Sequence, residues 1–535
     1  MDRRTFVKGM LAAPLYGLFA QGCSSQVNRM KPGLLTFAIT SDTPTMDTAH
    51  NDSYYLGPMN TFDRLFETRM VDGEAKVLGS LCVDYQMSDD GLTYDFTLRD
   101  GVRFSNGDPL TASDVRYSFS RLLTEAAVNT DIALEILGGE SLMNKQAEEL
   151  EGFKVKDETH FSIVLEAPNA GFIAELSSPA MSIVSERVTR QAKSFGKDPS
   201  EAIGSGPYYM EEWIPNDHLT FRYNEHYWGE EPTVKEAVVR VIPDASTRDL
   251  MFQNGEIDMI DLSDIDSLIV QRSYKVEHAD SIVRSEQIGM YYLALNHTNG
   301  YLKDPRVRKA IAMAIDADDI VKNLMHGDAI EQSGIIPTGI WGHNDNLEGV
   351  HFDADAARAV LKEAGYEDGE ITFELSLTSD GPRLLCETVS QQLAAIGVTA
   401  NIKVYDNAVR MQKRLAGELD SYIAPWFMDY NDPANIMAVF FGNAERAKAR
   451  SICYQNTEVM ERINAAKSII GDDERRQEYQ DLERKLVLED YAWIPLYQGV
   501  RLFCVGERVE SFTPFWAGYG DFYIKDVVLK QEDRV

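Results

Sequence analysis

Residues 371–404, ITFELSLTSDGPRLLCETVSQQLAAIGVTANIKV, carry the pattern that decides the fold class. Apolar and polar residues alternate over the first and last parts of this stretch, which predicts two strands. Between them, apolar residues recur at helical spacing before Gly397: Leu385, Val389, Leu393 and Ile396. A strand, a helix and a second strand in this order form a βαβ unit, and its two strands are expected to be parallel. The stretch therefore predicts an α/β fold.

The neighbouring segments extend this prediction in both directions. Asp304-Pro305 is a helix start, and apolar residues follow it at every fourth position. Residues 81–123 instead contain hairpin patterns with Asn-Gly and Asp-Gly turns, so residues from about 61 to 179 are predicted to form a mixed α+β unit. The β-branched run at residues 238–242 predicts a strand inside a sheet.

The length and the charge limit the class of protein. A chain of 535 residues is expected to form two or three domains. It has 52 basic and 85 acidic residues, a formal net charge of -33. Nucleic acid and anionic lipid surfaces are therefore poor partners for the body of the protein. The acidity is typical of a solvated surface, and the alternative is electrostatic attraction of a cationic ligand.

The N-terminus indicates export and a membrane anchor. Residues 2–8, DRRTFVK, resemble the twin-arginine export signal, and the apolar run at 9–19 is shorter than the roughly 20 residues that span a bilayer. Cys23 follows Gly22 as in a bacterial lipoprotein processing site, although Ala20 replaces the usual Leu. We expect Cys23 to be lipidated, which would hold the protein at a membrane surface. The alternative is an ordinary signal peptide with a chance cysteine.

Motifs of catalysis, metal binding and cofactor binding are absent from the sequence. It contains no HExxH, GxSxG or GxGxxG motif, and the four cysteines after Cys23 form no CxxC pair. These cysteines are expected to be buried thiols or to form one incidental disulfide. With so many carboxylates an acid/base pair is not excluded, but we expect no enzyme, no metal and no cofactor. A cleft between two α/β halves that closes on a ligand fits the export signal better.

Ordered segments along nearly all of the mature chain resemble the extracytoplasmic solute-binding proteins of family 5, which include the dipeptide and oligopeptide receptors of ABC importers. The matching segments are Gly91–Phe104, Gly206–Tyr208, Tyr227–Gly229, Gly255–Asp258, Asp304–Ala310 and Ala364–Tyr366. The resemblance implies a two-lobed, type II periplasmic-binding-protein-like fold with an inserted α+β domain. Its implied boundaries are a signal peptide at 1–22, lobe I at 23–60, 180–284 and 492–535, the inserted domain at 61–179, and lobe II at 285–491.

One loop bears on the ligand class. Residues 426–433, WFMDYNDP, resemble the loop of peptide receptors in which an aspartate pairs with the ligand's α-ammonium group. A buried ammonium needs a counter-charge, and a paired one also fixes the register of the peptide. The resemblance thus implies Asp429 as the main ligand contact, with Trp426 as a wall of the pocket. The alternatives are a loop carboxylate that caps a turn and a buried core indole.

The resemblance also implies weaker candidates. Tyr292 and Tyr497 match aromatic ligand contacts, although strand aromatics are core residues by default, and Asp52 and Asn431 are candidate loop contacts. For the ligand's carboxylate the candidates are Arg414 and Arg383.

Two positions depart from the oligopeptide receptors. Gly381 and Ile423 stand where those receptors have basic residues, so the carboxylate partner and the ligand length stay open.

Together these features predict a monomeric, extracytoplasmic lipoprotein that binds peptides and delivers them to the permease subunits of an ABC importer. Two alternatives remain at this point. The ligand can be another small solute bound by relatives, such as a nickel chelate, haem, glutathione or an oligosaccharide. The protein can also be a sensory or cell-wall-recycling accessory that binds without feeding an importer.

Overall fold

A computed structural model describes residues 31–51, 54–124, 127–265, 268–379, 381–518 and 521–534. The expected signal peptide, Cys23 and Asp52 lie outside these residues. Among the described residues, no helix combines the length and the apolar character needed to cross a bilayer.

Strands of the described residues are numbered β1 to β20 in chain order. They are β1 Leu34–Ile39, β2 Phe66–Val71, β3 Glu74–Gly79, β4 Cys82–Met87, β5 Thr93–Leu98, β6 Phe153–Val155, β7 His160–Val164, β8 Tyr208–Ile214, β9 His218–Tyr223, β10 Glu236–Val241, β11 Met259–Asp261, β12 Ile282–Glu286, β13 Gly289–Leu295, β14 Ala329–Glu331, β15 Thr372–Thr378, β16 Thr399–Tyr405, β17 Ser421–Phe427, β18 Ile494–Val505, β19 Val509–Phe512 and β20 Val527–Leu529.

Helices are numbered α1 to α17 in the same way. They are α1 Leu56–Thr61, α2 Ala112–Thr124, α3 Asp131–Leu134, α4 Gly139–Met143, α5 Phe172–Glu175, α6 Glu186–Thr189, α7 Ala245–Gln253, α8 Leu268–Glu277, α9 Pro305–Ala314, α10 Ala317–Asp319, α11 Ala354–Glu363, α12 Arg383–Ala394, α13 Asn407–Ala416, α14 Ala434–Phe441, α15 Ala444–Ala449, α16 Thr457–Ala466 and α17 Asp472–Arg484.

The predicted βαβ unit is confirmed. Strands β15 and β16 pair in parallel with Thr372 opposite Thr399, and α12 connects them. The predicted helix start at residue 304 is also confirmed, because the Asp304 side chain accepts a hydrogen bond from the Arg306 N–H and Pro305 is the first residue of α9. The sequence pattern therefore predicted both the type and the order of these elements.

The main sheet of the described residues has 12 strands. Its strand order is β16-β15-β17-β13-β18-β11-β1-β10-β9-β8, and β12 and β14 also pair with β18. The first half of the 12-residue strand β18 pairs with β13 and β14, and its second half pairs with β12 and β11. The long strand β18 thus belongs to both halves of the sheet, and each half carries its own apolar core.

A separate sheet lies in the segment before residue 180. It has the order β4-β5-β7-β6 and packs with α2 around Phe96, Phe119 and Phe161, all buried. A further core joins distant parts of the chain, since it contains Tyr55 and Met59, residues from 288 to 493, and Phe515 and Trp516 of the C-terminal tail. The four described cysteines are free thiols, and Cys82, Cys386 and Cys504 are buried.

The chain crosses between the two halves of the main sheet twice, and the crossings lie side by side. One is at Gln287 between β12 and β13, and the other is at Gly499 within β18. The Gln287 N–H donates to the Gly499 carbonyl at 2.9 Å, and its side-chain amide donates to the Gly518 carbonyl at 3.1 Å. A Cβ atom on Gly499 would lie 2.0 Å from Gln287 Oε1, so any larger residue there would displace the Gln287 amide from its position next to Gly518.

Candidate functional site

A cavity of about 530 Å³ lies between the two halves of the main sheet, and we call it the cleft cavity. Its lining comes from both sides: Phe37–Ser41, Thr43, Tyr54, Leu56, Gly57, Leu219, Met259, Asp261, Gln287, Pro425–Phe427, Asp429, Arg501, Phe503, Asp521 and Phe522. Its size is that of small-molecule binding pockets, which are mainly apolar with a few fixed polar groups.

Strand direction explains why these residues meet. Strand β1 runs parallel to β10, and β15 runs parallel to both β16 and β17, so each half of the sheet presents carboxyl ends of parallel strands. Residues 38–43 leave the end of β1, and residues 425–429 span the end of β17. Ligands of open α/β sheets bind in the crevice outside such carboxyl ends.

One buried amide holds the two leading candidates in place. The Asn435 side-chain oxygen accepts hydrogen bonds from the Trp426 ring N–H and the Asp429 backbone N–H, both at 3.2 Å. The Asn435 side-chain NH₂ donates to Asp429 Oδ2 at 3.3 Å. Asn435 is 2% exposed, so its partners are held from a rigid position. The indole and the carboxylate therefore face the cleft cavity as a fixed pair.

Acidic groups dominate the charge of the cavity wall. The charged side chains that line it are Asp261, Asp429, Asp521 and Arg501, and Arg501 forms an ion pair with Asp261. Asp521 accepts a hydrogen bond from the Tyr55 N–H at 2.9 Å. Burial raises the pKa of the Asp521 carboxyl to about 6, although that hydrogen bond and the Arg501 charge oppose the rise. The wall therefore favours a cationic group on the ligand.

The cavity brings together Asp429 and Trp426 but does not include three other candidates. Tyr292 is 2% exposed, and its ring stacks on Trp493 with the centroids 3.8 Å apart. Tyr497 is buried and stacks on Tyr291 at 4.7 Å.

Asn431 uses both ends of its amide within the protein. It accepts from the Trp341 N–H at 2.8 Å and donates to the Ala75 carbonyl at 2.6 Å. In this structure, Tyr292, Tyr497 and Asn431 all make contacts inside the protein.

The two arginine candidates lie apart from each other. Arg383, at the start of α12, is exposed and lies 3.8 Å from Glu387, and it lines neither cavity described here. Arg414, on α13, lines a second cavity of about 170 Å³ that we call the arginine cavity. Its lining is Asp131, Arg414, Leu415, Val439, Arg446, Ala449 and Arg450. The Arg450 guanidinium lies 5.0 Å from the centroid of the Trp426 ring, so the arginine cavity and the cleft cavity approach each other at this indole.

Sequence reasoning missed several residues that shape the site. Asn435 is a polar residue within the apolar sequence of α14, and that contrast was a usable signal. Asp521 and Arg501 reach the cavity from the C-terminal segment, far along the chain from Asp429, and no local pattern marks them. Within the described ranges, no group of three or more histidine, cysteine or acidic side chains is arranged to hold a metal ion.

Comparison with known proteins extends these observations. The family model of the bacterial extracellular solute-binding proteins, family 5, matches residues 76–448. "Heme-binding protein A" of Haemophilus influenzae is 26% identical over 485 residues, which cover 88% of this chain and 87% of the relative. "Probable D,D-dipeptide-binding periplasmic protein DdpA" of Escherichia coli is 25% identical over 495 residues, 90% of this chain and 91% of the relative.

A solved structure agrees with the fold. The periplasmic binding protein DppA from Helicobacter pylori, in complex with peptide STSA, superposes with a TM-score of 0.75 at 24% identity, and the match covers 93% of this chain and 98% of that one. The fold is thus the type II periplasmic binding fold that was expected. Because the family model spans well over half of the sequence, the chain belongs to the bacterial extracellular solute-binding proteins of family 5.

Proposed function

We propose that this protein binds peptides with a free α-ammonium group in the cleft cavity and delivers them to the permease of an ABC importer. The observation that carries the proposal is the position of Asp429 at the cavity wall, oriented by Asn435 and next to Trp426. An ammonium group that leaves water needs an anionic partner held in place, because an unpaired buried charge is heavily penalised.

The remaining wall suits a peptide of variable side chains. Aromatic rings line both sides of the cavity, namely Phe37, Tyr54, Trp426, Phe427, Phe503 and Phe522. Rings offer apolar contact without dictating one shape, and ordered water can fill the space beside smaller side chains. Asp521 adds negative potential on the side opposite Asp429, which assists a cationic ligand end, whereas the charge of Asp261 is offset by its ion pair with Arg501.

The names of the relatives support peptide as the first choice of ligand and haem as its main competitor. DdpA is named for D,D-dipeptides, and the Helicobacter protein was solved with a peptide, whereas the Haemophilus relative is named for haem. Haem carries two propionate groups, and the cleft cavity presents three carboxylates and one paired guanidinium. Like charges at close range are costly, so this wall favours a ligand with an ammonium group.

Closure of the two halves around a ligand would couple binding to delivery. The cavity walls belong to opposite halves of the sheet, which are connected by the crossings at Gln287 and Gly499. A ligand that contacts both walls stabilises the closed form by its differential affinity for that form, and a permease that recognises the closed form then receives loaded protein.

We also propose three properties that rest on the sequence. These are export through a twin-arginine signal, lipidation of Cys23, and a monomeric state. Metabolic labelling with a fatty-acid analogue should mark the wild type and leave Cys23→Ser unlabelled. Light scattering of the soluble body should give the mass of one chain.

The decisive experiment is native mass spectrometry of protein purified from its own cells, followed by calorimetric titration with synthetic peptides. We expect trapped masses of peptides and binding of peptides with a free N-terminus. Recovery of a porphyrin mass, or a failure of all peptides to bind protein freed of its ligand, would refute the proposal.

A further inference from the structure

The arginine cavity holds three guanidinium groups around about 170 Å³ of space. Arg414 comes from α13, Arg446 from α15, and Arg450 immediately follows α15. One of the three is neutralised within the protein, since Arg446 lies 3.3 Å from Asp131 Oδ2 and also donates to the Ala438 carbonyl at 3.3 Å. The positive charges of Arg414 and Arg450 are the two that remain in the cavity.

Neither Arg414 nor Arg450 has a carboxylate partner among the described residues. No Asp or Glu oxygen lies within 4.0 Å of either guanidinium. The Arg414 guanidinium donates a hydrogen bond to the Met411 sulfur at 3.1 Å, and Arg450 packs against the rings of Trp426 and Phe440 with both centroids 5.0 Å away. In a chain with 85 acidic and 52 basic residues, acidic partners are in excess, so two arginines beside one cavity that have no carboxylate partner among the described residues call for an explanation.

A third cation strengthens the local positive potential. Arg410 lies one helical turn before Arg414 on α13, and its buried Nε has no hydrogen-bond partner within the part of the chain that the structure describes. Burial lowers the pKa of the Arg410 guanidinium, and the Arg414 charge lowers it further. The same two causes lower the pKa of Arg450, with Asp429 acting in the opposite direction. Grouped cations repel one another, and an anion placed between them relieves that repulsion.

We propose that Arg414 and Arg450, with Arg410 behind them, form a subsite for a doubly charged acidic end of the ligand. A C-terminal glutamate or aspartate supplies two carboxylates, and a phosphoryl group supplies the same charge from one centre. This inference rests on the proposed function, because it places the two ends of one peptide on either side of Trp426. The ammonium then binds Asp429 in the cleft cavity, and the acidic end binds in the arginine cavity. The preferred substrates are accordingly peptides that end in an acidic residue.

Guanidinium groups suit such an end by their shape as well as their charge. Each presents a planar set of N–H donors that can hold a carboxylate or phosphate through two parallel hydrogen bonds. Charge-assisted hydrogen bonds of this kind change affinity by about ten- to a hundredfold each. Two arginines acting on two charges should therefore separate an acidic peptide from its amide analogue clearly.

The test compares Ala-Ala-Glu with Ala-Ala-Gln, two peptides of the same size that differ by one charge. Calorimetry is run on the wild type, Arg450→Gln and Arg414→Gln, with Lys413→Gln as the control on the same helix, since Lys413 pairs with Glu418 instead. We expect the wild type to prefer Ala-Ala-Glu at least tenfold. Each arginine variant should weaken Ala-Ala-Glu about ten- to a hundredfold and Ala-Ala-Gln threefold or less. The control variant should bind like the wild type.

Titration of inorganic phosphate into the same proteins tests the acidic subsite separately from the proposal that the protein binds peptides. Equal affinity of the wild type for both peptides, or equal losses for both in the arginine variants, would overturn the acidic subsite and leave peptide binding intact. If neither peptide binds, peptide binding itself fails. Phosphate binding that is lost in Arg450→Gln then supports the subsite alone, and absent or unchanged phosphate binding overturns it. Circular dichroism confirms that each variant folds. Because Arg414 and Arg450 lie on separate segments of the chain, the same result in both variants is not explained by one local disturbance.

Discussion

Replacing Asp429 by asparagine removes one negative charge from the cleft cavity and keeps the shape of the side chain. A carboxylate and an ammonium 4 Å apart attract by about 4 kcal/mol at an effective dielectric constant of 20. Asp429 is half-buried, its desolvation cost disappears with its charge, and the amide oxygen still accepts a hydrogen bond. We therefore expect a net loss of about 2 kcal/mol, which weakens peptide binding about thirtyfold.

The assay is calorimetric titration of Asp429→Asn with a tripeptide and with the same tripeptide acetylated at its N-terminus. Acetylation removes the ammonium group, so the wild type should bind the acetylated peptide more weakly than the unmodified one. The variant should bind the two peptides with similar affinity. Glu418→Gln, which removes an exposed carboxylate, serves as the control and should match the wild type. If Asp429→Asn binds the unmodified peptide within threefold of the wild type, Asp429 is not the ammonium partner. The same conclusion follows if acetylation weakens binding to the variant as much as it weakens binding to the wild type.

Three further predictions concern stability and spectroscopy. Burial raises the pKa of Glu483 to about 7, above its ordinary value, so the wild type should lose stability as the pH rises from about 4.5 through 7. Glu483→Gln should escape that loss, and its free energy of unfolding relative to the wild type, measured with denaturant, should change by about 3 kcal/mol between low pH and pH 8. A difference between the two proteins that does not depend on pH would contradict the prediction. Arg475→Met leaves Asp432 buried without its partner at 2.7 Å and should destabilise the protein by about 3–5 kcal/mol, whereas a loss under 1 kcal/mol would show that the pair contributes little. Trp426 lines the cleft cavity and Trp493 is 1% exposed in the core, so Trp426→Phe should abolish the change in tryptophan fluorescence on peptide binding and Trp493→Phe should retain it.

Local patterns predicted the elements whose formation depends on near neighbours. The alternation at residues 371–377 and the four-residue spacing after Arg383 correspond to β15 and α12, because one face of each element is buried against the other. The α9 start was predictable for the same reason, since Asp304 and Pro305 act within the first turn. Such features need no knowledge of the rest of the chain.

The composition of the candidate site was only partly predictable. Asp429 and Trp426 lie on one loop, and a family resemblance over that loop was enough to single them out. Tyr292 satisfied the same pattern, but its face is covered by Trp493 from 200 residues later in the chain, and no local signal reports such a contact. The arginine cavity is equally non-local, because Arg414 lies on α13, Arg450 immediately follows α15, and the two become neighbours only through packing.

The paired crossings at Gln287 and Gly499 restrict how the two halves of the molecule can move. Because the crossing segments are hydrogen-bonded to each other, they form a two-stranded ribbon and not two independent tethers. We expect such a pair of crossings to act as a hinge between the two halves, so that opening is described mainly by a single angle. On the proposed function, we expect the length of a bound ligand to set that angle. A permease that recognises the angle would then distinguish ligands by size without contacting them.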